Sequence, residues 1–501
     1  MSERNSARLF RGLRDLLPQE MAARQWLIDT IRGVYESYGF VPLGTPAVEY
    51  LDVLTGSGGE ESSSSIFHIR NPDDPREKDA GERLGLRFDL TVPLARVVSQ
   101  YRELPRPFRR YQVSPVWRAD KPDRGRFREF IQFDIDSVGV ESFLADVEII
   151  SAMCDTLTAL NVGAYQVRFS SRRVLNLLLK YAEVPDTFVS KRGGPVEATA
   201  NEEIARVGSD VFRVLDKLDK IQLEGVRREL TTGYKDKSGD WISGLGLSNE
   251  QADRIEQFIA IRGDRREDVL RQLTELFSKV PGAPEEIELL GRMSRQLANL
   301  GYGDDRVTLD LSVARGLAYY TGPVFEAILL DAPQFGSVMG GGRYDELVMR
   351  FLGEKVPATG ASIGVDRLLA ALVHLGRAPL RKSTAQVLVA VLDEAMIDDY
   401  LAMTYELRRA GIPTEMYLGS KKGIGKQFKY ADQIEIPVVV VCGGDEKARG
   451  TVTLKNMGKG KESAAKISDR AQWVSERPGQ IEAPRGDLIE AARAMLQESQ
   501  S

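Results

Sequence analysis

Histidine and cysteine are nearly absent, with two of each in 501 residues. A mechanism that needs imidazole as general base, nucleophile or metal ligand has almost nothing to draw on. His374 lies in the apolar stretch "LLAALVHLG" and reads as structural, while His68 in "SIFHIR" reads as a strand or loop position. Cys154 and Cys442 sit in apolar contexts without metal-ligand spacing. That argues against a disulfide framework and a cysteine zinc site, and points to a reducing cytoplasm. No apolar run approaches the roughly 18 residues of a membrane span, and the charged opening "MSERNSARLFRGLRDLLPQEMAARQ" lacks a secretory apolar core. A global excess of positive charge is missing too, since the net charge is −5. A local basic face on phosphates stays possible. Neither the P-loop nor the Rossmann glycine spacing occurs.

What is present is enough chain for two to four domains at roughly 100–200 residues each. Residues 20–38 read as an amphipathic helix stopped by Gly39, followed by the extended, proline-bearing "FVPLGTPAVEY". "GSGGEESSSS" is a loop, and "LGLRFDLTVPLARVVSQY" reads as a strand running into a helix. "FRRYQVSPVWRAD" and "REFIQFDIDSVG" alternate around the charged "KPDRGRF", the pattern of an antiparallel hairpin. A helix "DVEIISAMCDTLTAL" and a strand "AYQVRFSS" follow. The next hundred or so residues are charged and helical, and strand patterns resume at 306. These two strand-bearing blocks are expected to share one mostly antiparallel sheet. After a linker near 376–384, strands alternate with helices, which suggests a small, largely parallel α/β domain.

Period two puts Phe130, Gln132, Asp134 and Asp136 on one face of the second hairpin strand, and Ile131, Phe133 and Ile135 on the other. Arg118, Arg124, Arg126 and Arg128 crowd the hairpin tip. Guanidinium groups grip phosphate in a bidentate fork, and carboxylates accept from an amine. Such a face can hold a phosphate chain and an ammonium together, or it can be a solvated strand laced with salt bridges. "MGGGRYDEL" and "GASIGVDRLL" read as glycine-rich turns into helices, with Arg367 in the first turn of the second helix.

Taken in order, the early helix with its proline-bearing strand, the arginine hairpin "GRFREF", and the glycine-flanked arginine opening a late helix resemble the three motifs of class II aminoacyl-tRNA synthetases. Within that class, "RGLAYYTGPVFEA" looks like the signature peptide of the histidyl-tRNA synthetases, and "RFDLTVPLAR", "GRFREFIQFDID", "GGGRYDEL" and "ASIGVDRL" agree. The resemblance covers residues 8 to about 470.

The resemblance implies a class II antiparallel-sheet catalytic domain with a helical insertion, an α+β fold, and a C-terminal α/β anticodon-binding domain. Its expected division is 1–170 and 301–378 for the catalytic domain, 171–300 for the insertion, 384–480 for the anticodon module and 481–501 for a tail. It implies ATP-dependent ligation of histidine to tRNA(His) through a histidyl-adenylate, with Mg²⁺ beside the ATP, in a cytoplasmic homodimer with "GFVPLGTPAVEY" and Pro46 at the interface. By carry-over, Arg118 and Arg315 are the catalytic cations on the α-phosphate, with Arg126 and Arg367 on the rest of the ATP. Asp89, Leu90 and Thr91 of "FDLT", with Gln132, hold the α-amino end. Asp136 and one or both of Tyr319 and Tyr320 read the imidazole, since an acid and a phenol can serve both ring nitrogens. Core packing is the alternative for each tyrosine. A carboxylate needs no general base to attack phosphorus, which suits a chain so short of histidine.

Two departures stand out: Ala318 replaces the acid usual in the signature, and Asp123 stands where many members have glutamine. Lys421, Lys422, Lys426 and Lys429 form a basic stretch, read either as a phosphate-contacting surface or as a solvated face. A regulatory subunit of ATP phosphoribosyltransferase and a synthetase for another amino acid are the competing identities. The signature arginine and the C-terminal module argue against the first, and the Arg–Tyr–Tyr signature argues against the second.

Overall fold

The computed structural model describes residues 7–55, 65–69, 83–122, 125–184, 210–215, 217–235, 239–313, 320–419, 423–458 and 479–499. The chain divides into two units, Met1–Asp15 with Arg24–Ala378, and Leu16–Ala23 with Pro379–Ser501.

In the first unit, β1 (Val41–Pro42), β2 (Val48–Tyr50), β3 (His68–Ile69) and β4 (Leu84–Leu86) precede the long pair β5 (Phe108–Trp117) and β6 (Glu129–Val138). β7 (Tyr165–Ser171) follows, then a separate hairpin of β8 (Gly233–Lys235) and β9 (Trp241–Ser243). β10 (Val307–Leu309), β11 (Pro323–Leu329), β12 (Ser337–Arg343) and β13 (Ala358–Gly364) complete the set. Eight of them form one sheet in the order β1-β5-β6-β13-β12-β11-β7-β10. The outermost pairs, β1 with β5 and β7 with β10, are parallel, and every pair between them is antiparallel. The expected hairpin and the shared, mostly antiparallel sheet are therefore present.

Alternation decides the faces of β6. Phe133 and Ile135 have no exposed surface, and Phe133 meets Tyr35 of the helix Pro18–Ser37 edge-on at 5.1 Å. The helix Leu144–Ala159 is buried over most of its surface, Ile149, Ile150, Met153 and Leu157 included, and it packs across the sheet from β6 to β7. The described residues between β7 and β10 are mostly helical, as the charge pattern suggests, but they also hold the β8–β9 hairpin, which the helical reading missed. Its last helix, Ala283–Asn299, packs on Leu144–Ala159.

"GGGR" is not a turn. Gly340–Gly342 lie within β12, paired on both sides to β11 and β13. Likewise "GASIG" is β13, and only Val365 begins a helix. The glycines serve close approach between strands, not chain reversal.

The second unit carries β14 (Val387–Val389), β15 (Thr414–Met416), β16 (Val438–Val441), β17 (Thr451–Asn456) and β18 (Gln480–Pro484), in the order β15-β14-β16-β17-β18. The first three are mutually parallel and the last two antiparallel, so the sheet is mixed rather than largely parallel. Val387, Val389, Val438 and Val440 face one apolar layer, Leu388 and Val439 the other. Residues 481–498, expected as part of a tail, are built into the fold. They supply β18 and the helix Leu488–Glu498, whose Leu488, Ala492, Met495 and Leu496 repeat at helical spacing and are buried in the core.

Candidate active site

The polar face of β6 opens onto a cavity of about 390 Å³. Register brings its chemistry together. On β5 and β6, Arg110 lies opposite Asp136, Gln112 opposite Asp134 and Ser114 opposite Gln132. Arg110 has no exposed surface; its Nη2 stands 2.7 Å from Asp136 Oδ2 and donates to Leu90 O at 3.1 Å. Tyr344, just past the end of β12, donates its hydroxyl to the other Asp136 oxygen. A side chain on β13 would disturb this. A Cβ on Gly360 would stand 2.1 Å from Asp136 Oδ1, and one on Gly341 would stand 2.1 Å from Gly360 O.

Asp89 precedes the helix Thr91–Gln100 and accepts from Val92 N–H at 3.1 Å on one oxygen. Its second oxygen is buried without a hydrogen-bond partner, as is Gln132 Oε1. Gln132 Nε2 donates to Ser362 Oγ at 2.5 Å. Both residues line the cavity, so two unused acceptors border it. Burial raises Asp89 to about 6 and Asp136 to about 7, and Asp134 shifts upward too. Arg110 pulls Asp136 and Asp134 back down, while Asp134 pushes Asp136 and Asp89 further up. Three carboxyls thus gather around one fully buried guanidinium, an arrangement that a cationic or N–H-rich guest completes.

The cationic side of the cavity is built separately. Arg118 Nε donates to Phe88 O at 3.1 Å, and its guanidinium lies 5.2 Å from the Phe130 ring centroid. Arg367, in the first turn of the helix Val365–His374, donates to Ser337 O at 2.7 Å. Arg126 and Lys121 come from the hairpin loop, and all four line the cavity. Cations beside acceptors, two of them anchored to backbone carbonyls, suit an anionic phosphate chain next to an amine.

Of the residues singled out from sequence, the structure brings Arg118, Arg126, Arg367, Asp89, Thr91, Gln132, Asp136 and Tyr320 onto one cavity. Leu90 is buried off its wall. Arg315, Tyr319, Ala318, Asp123, Arg124, Lys421 and Lys422 lie outside the described residues. Sequence reasoning gave no role to Arg110 or Tyr344. The hairpin register was the missing signal for Arg110, and the strand nature of "GGGRY" for Tyr344.

A central antiparallel sheet, an arginine-bearing hairpin on its polar face and an arginine opening the helix after the last strand define the catalytic fold of class II aminoacyl-tRNA synthetases. A family model described as histidyl-tRNA synthetase matches residues 12–368, and one described as anticodon binding domain matches 386–477. The chain is 44% identical to the histidine–tRNA ligase of Cereibacter sphaeroides, over 99% of both chains. It is 41% identical to that of Rhizobium meliloti, over 98% of this chain and 96% of the other. The crystal structure of histidyl-tRNA synthetase from Nostoc sp. PCC 7120 superposes with a TM-score of 0.77 at 32% identity, covering 98% of this chain and 100% of that one. The chain belongs to the histidyl-tRNA synthetase family.

Proposed function

We propose that the chain ligates L-histidine to tRNA(His) in two steps at this cavity. The histidine carboxylate attacks the α-phosphorus of ATP, giving histidyl-adenylate and pyrophosphate. The terminal ribose of the tRNA then takes the histidyl group and AMP leaves. The carrying observation is the pair of unused acceptors, Asp89 Oδ2 and Gln132 Oε1, on the same cavity wall as Arg118, Arg126 and Arg367.

In this reading Asp89, Thr91 and Gln132 receive the α-ammonium. Asp136, held by Arg110 and Tyr344, and Tyr320 bond the imidazole. Arg118 and Arg315 stabilise charge developing at the α-phosphate, and Arg126 and Arg367 hold the remaining phosphates. Among the described residues, no cluster of three or more potential metal ligands occurs. A Mg²⁺ carried on the triphosphate would offset phosphate charge.

The partition into a catalytic part (1–170 and 301–378), an insertion (171–300) and an anticodon reader from 384 belongs to the same proposal. So does a homodimer: Val41, Val48 and Tyr50 expose apolar surface on short strands around Pro42 and Pro46, as an interface would. No described helix is long and apolar enough to cross a membrane, and a cytoplasmic location is part of the reading.

The test is ATP–pyrophosphate exchange with single amino acids, followed by charging of tRNA(His). Exchange should require histidine. Histidine binding without exchange, or exchange driven by another amino acid, would overturn the proposal.

A further inference from the structure

The loop between β5 and β6 must hold Arg126 and Phe127 against the cavity. It leaves the strand ladder beyond the bond from Arg118 N–H to Arg128 O at 2.8 Å. Residues 10–14 support it from outside the cavity. Arg128 N–H donates to Gly12 O at 2.9 Å, and Arg128 Nη1 to Arg11 O at 3.2 Å. Gly12 has φ +89°, and a Cβ there would stand 2.7 Å from Cγ of Pro122, itself a cavity residue. The segment and the loop are therefore in direct contact.

Arg14 ends this support. Its guanidinium sits 3.9 Å from the centroid of the Phe127 ring, and its Nη2 donates to Asp366 Oδ1 at 2.8 Å. Arg24 stands 3.8 Å from the same oxygen, beyond hydrogen-bond reach. The Asp366 side chain is only 4% exposed, and its other oxygen accepts from Ile131 N–H at 2.6 Å. Asp366 also lies in the first turn of the helix Val365–His374, where a carboxylate is favoured, directly before Arg367. One guanidinium thus links the loop through Phe127, the start of β6 through Asp366 and Ile131, and the helix that carries Arg367. Arg14 itself is not on the cavity wall.

We infer that Arg14 is a positioning residue for adenylate formation: it fixes the hairpin loop and the Arg367 helix at the separation that grips ATP. The inference rests on the reading of this side of the cavity as the nucleotide side. A planar guanidinium can stack and ion-pair at once, whereas an ammonium supplies only the point charge.

The experiment is histidine-dependent ATP–pyrophosphate exchange on the full chain carrying Arg14→Ala or Arg14→Lys. The alanine variant should raise the KM for ATP about tenfold, with kcat within about threefold and the KM for histidine within about twofold of wild type. The lysine variant should recover part of the ATP loss, with both unfolding midpoints near wild type. An ATP KM unchanged by Arg14→Ala overturns the inference. So does a parallel rise for histidine with a lowered midpoint, which marks general loosening. Should Arg14→Ala not fold, Asp366→Asn must shift the ATP KM in the same direction, and no shift there overturns the inference equally. Wild-type protein without any histidine-dependent exchange would instead sink the functional reading, so the two failures separate.

Discussion

Arg110, which has no exposed surface, pairs with Asp136 at 2.7 Å, while Asp134 and Asp89 add negative charge nearby. Burial wins over Arg110, leaving Asp136 at about 7 and Asp89 at about 6, well above the ordinary 3.8. Folded values above unfolded ones mean that these carboxyls support the fold fully below about pH 4 and withdraw that support as pH rises through about 6 to 7. Asp136→Asn removes one such group. The ligand-free variant, although weakened by an unpaired Arg110, should lose less stability between pH 5.5 and 8 than wild type does, read as denaturant midpoints at the two pH values. Equal losses would mean that Asp136 titrates as an ordinary carboxyl. Arg118 tests the opposite charge. Arg118→Ala should slow adenylate formation about 10²–10³-fold, roughly 2.7–4 kcal/mol, with a smaller change in histidine affinity; a rate within a few-fold of wild type removes it from the mechanism. Arg118 was legible because it ends a strand beside a charged loop. Arg110 was not, because "RR" offers two neighbours on opposite faces. Only the pairing to β6 shows that Arg110 is buried, while Arg109 reaches Tyr38 O at 2.7 Å and Glu148 at 2.8 Å.

At the scale of elements, the strand pair β12–β13 shows how much glycine contributes here. A methyl group at Gly360 would collide with both Asp136 Oδ1 and Ile135 O, at 2.1 and 2.4 Å, whereas one at Gly340 would find its nearest neighbours at 3.8 and 3.9 Å. Gly360→Ala should therefore cost about 1–3 kcal/mol of stability and raise the KM for histidine at least tenfold. Gly340→Ala should unfold within a degree or two of wild type, although it lines the cavity. Matching midpoints for the two variants would refute this account of the glycines. The β5–β6 hairpin was readable because alternation and a charged tip are local signals. "MGGGRYDEL" was misread because glycine marks turns locally, and its place between two partner strands is set by residues far away in sequence. The closing helix Leu488–Glu498 was missed although its apolar residues recur at helical spacing; a short amphipathic segment after a polar stretch looks dispensable until the core it completes is seen.

For the whole molecule, a net charge of −5 conceals a division of labour. The first unit concentrates buried carboxyls and arginines at one cavity, and the second builds its own two-sided core around β14 and β16. The total cannot reveal where basic surface lies, so the sequence left the lysines near 421–429 with two readings. The helix Ile424–Gln433 is now fixed in orientation. Gln427 is buried, donating to Val391 O at 2.5 Å and accepting from Val391 N–H at 2.9 Å, so Lys426 and Lys429 are turned to solvent. If they contact tRNA phosphates, each neutralised charge contributes about 0.7–0.9 to the slope of log affinity against log salt. The double variant Lys426→Ala/Lys429→Ala should then bind tRNA(His) more weakly, with a slope shallower by about 1–2. Exchange measured without tRNA should stay at the wild-type rate, because neither lysine lies on the cavity. An unchanged slope with unchanged affinity would leave these lysines as a solvated face and move the nucleic-acid contact elsewhere on the chain.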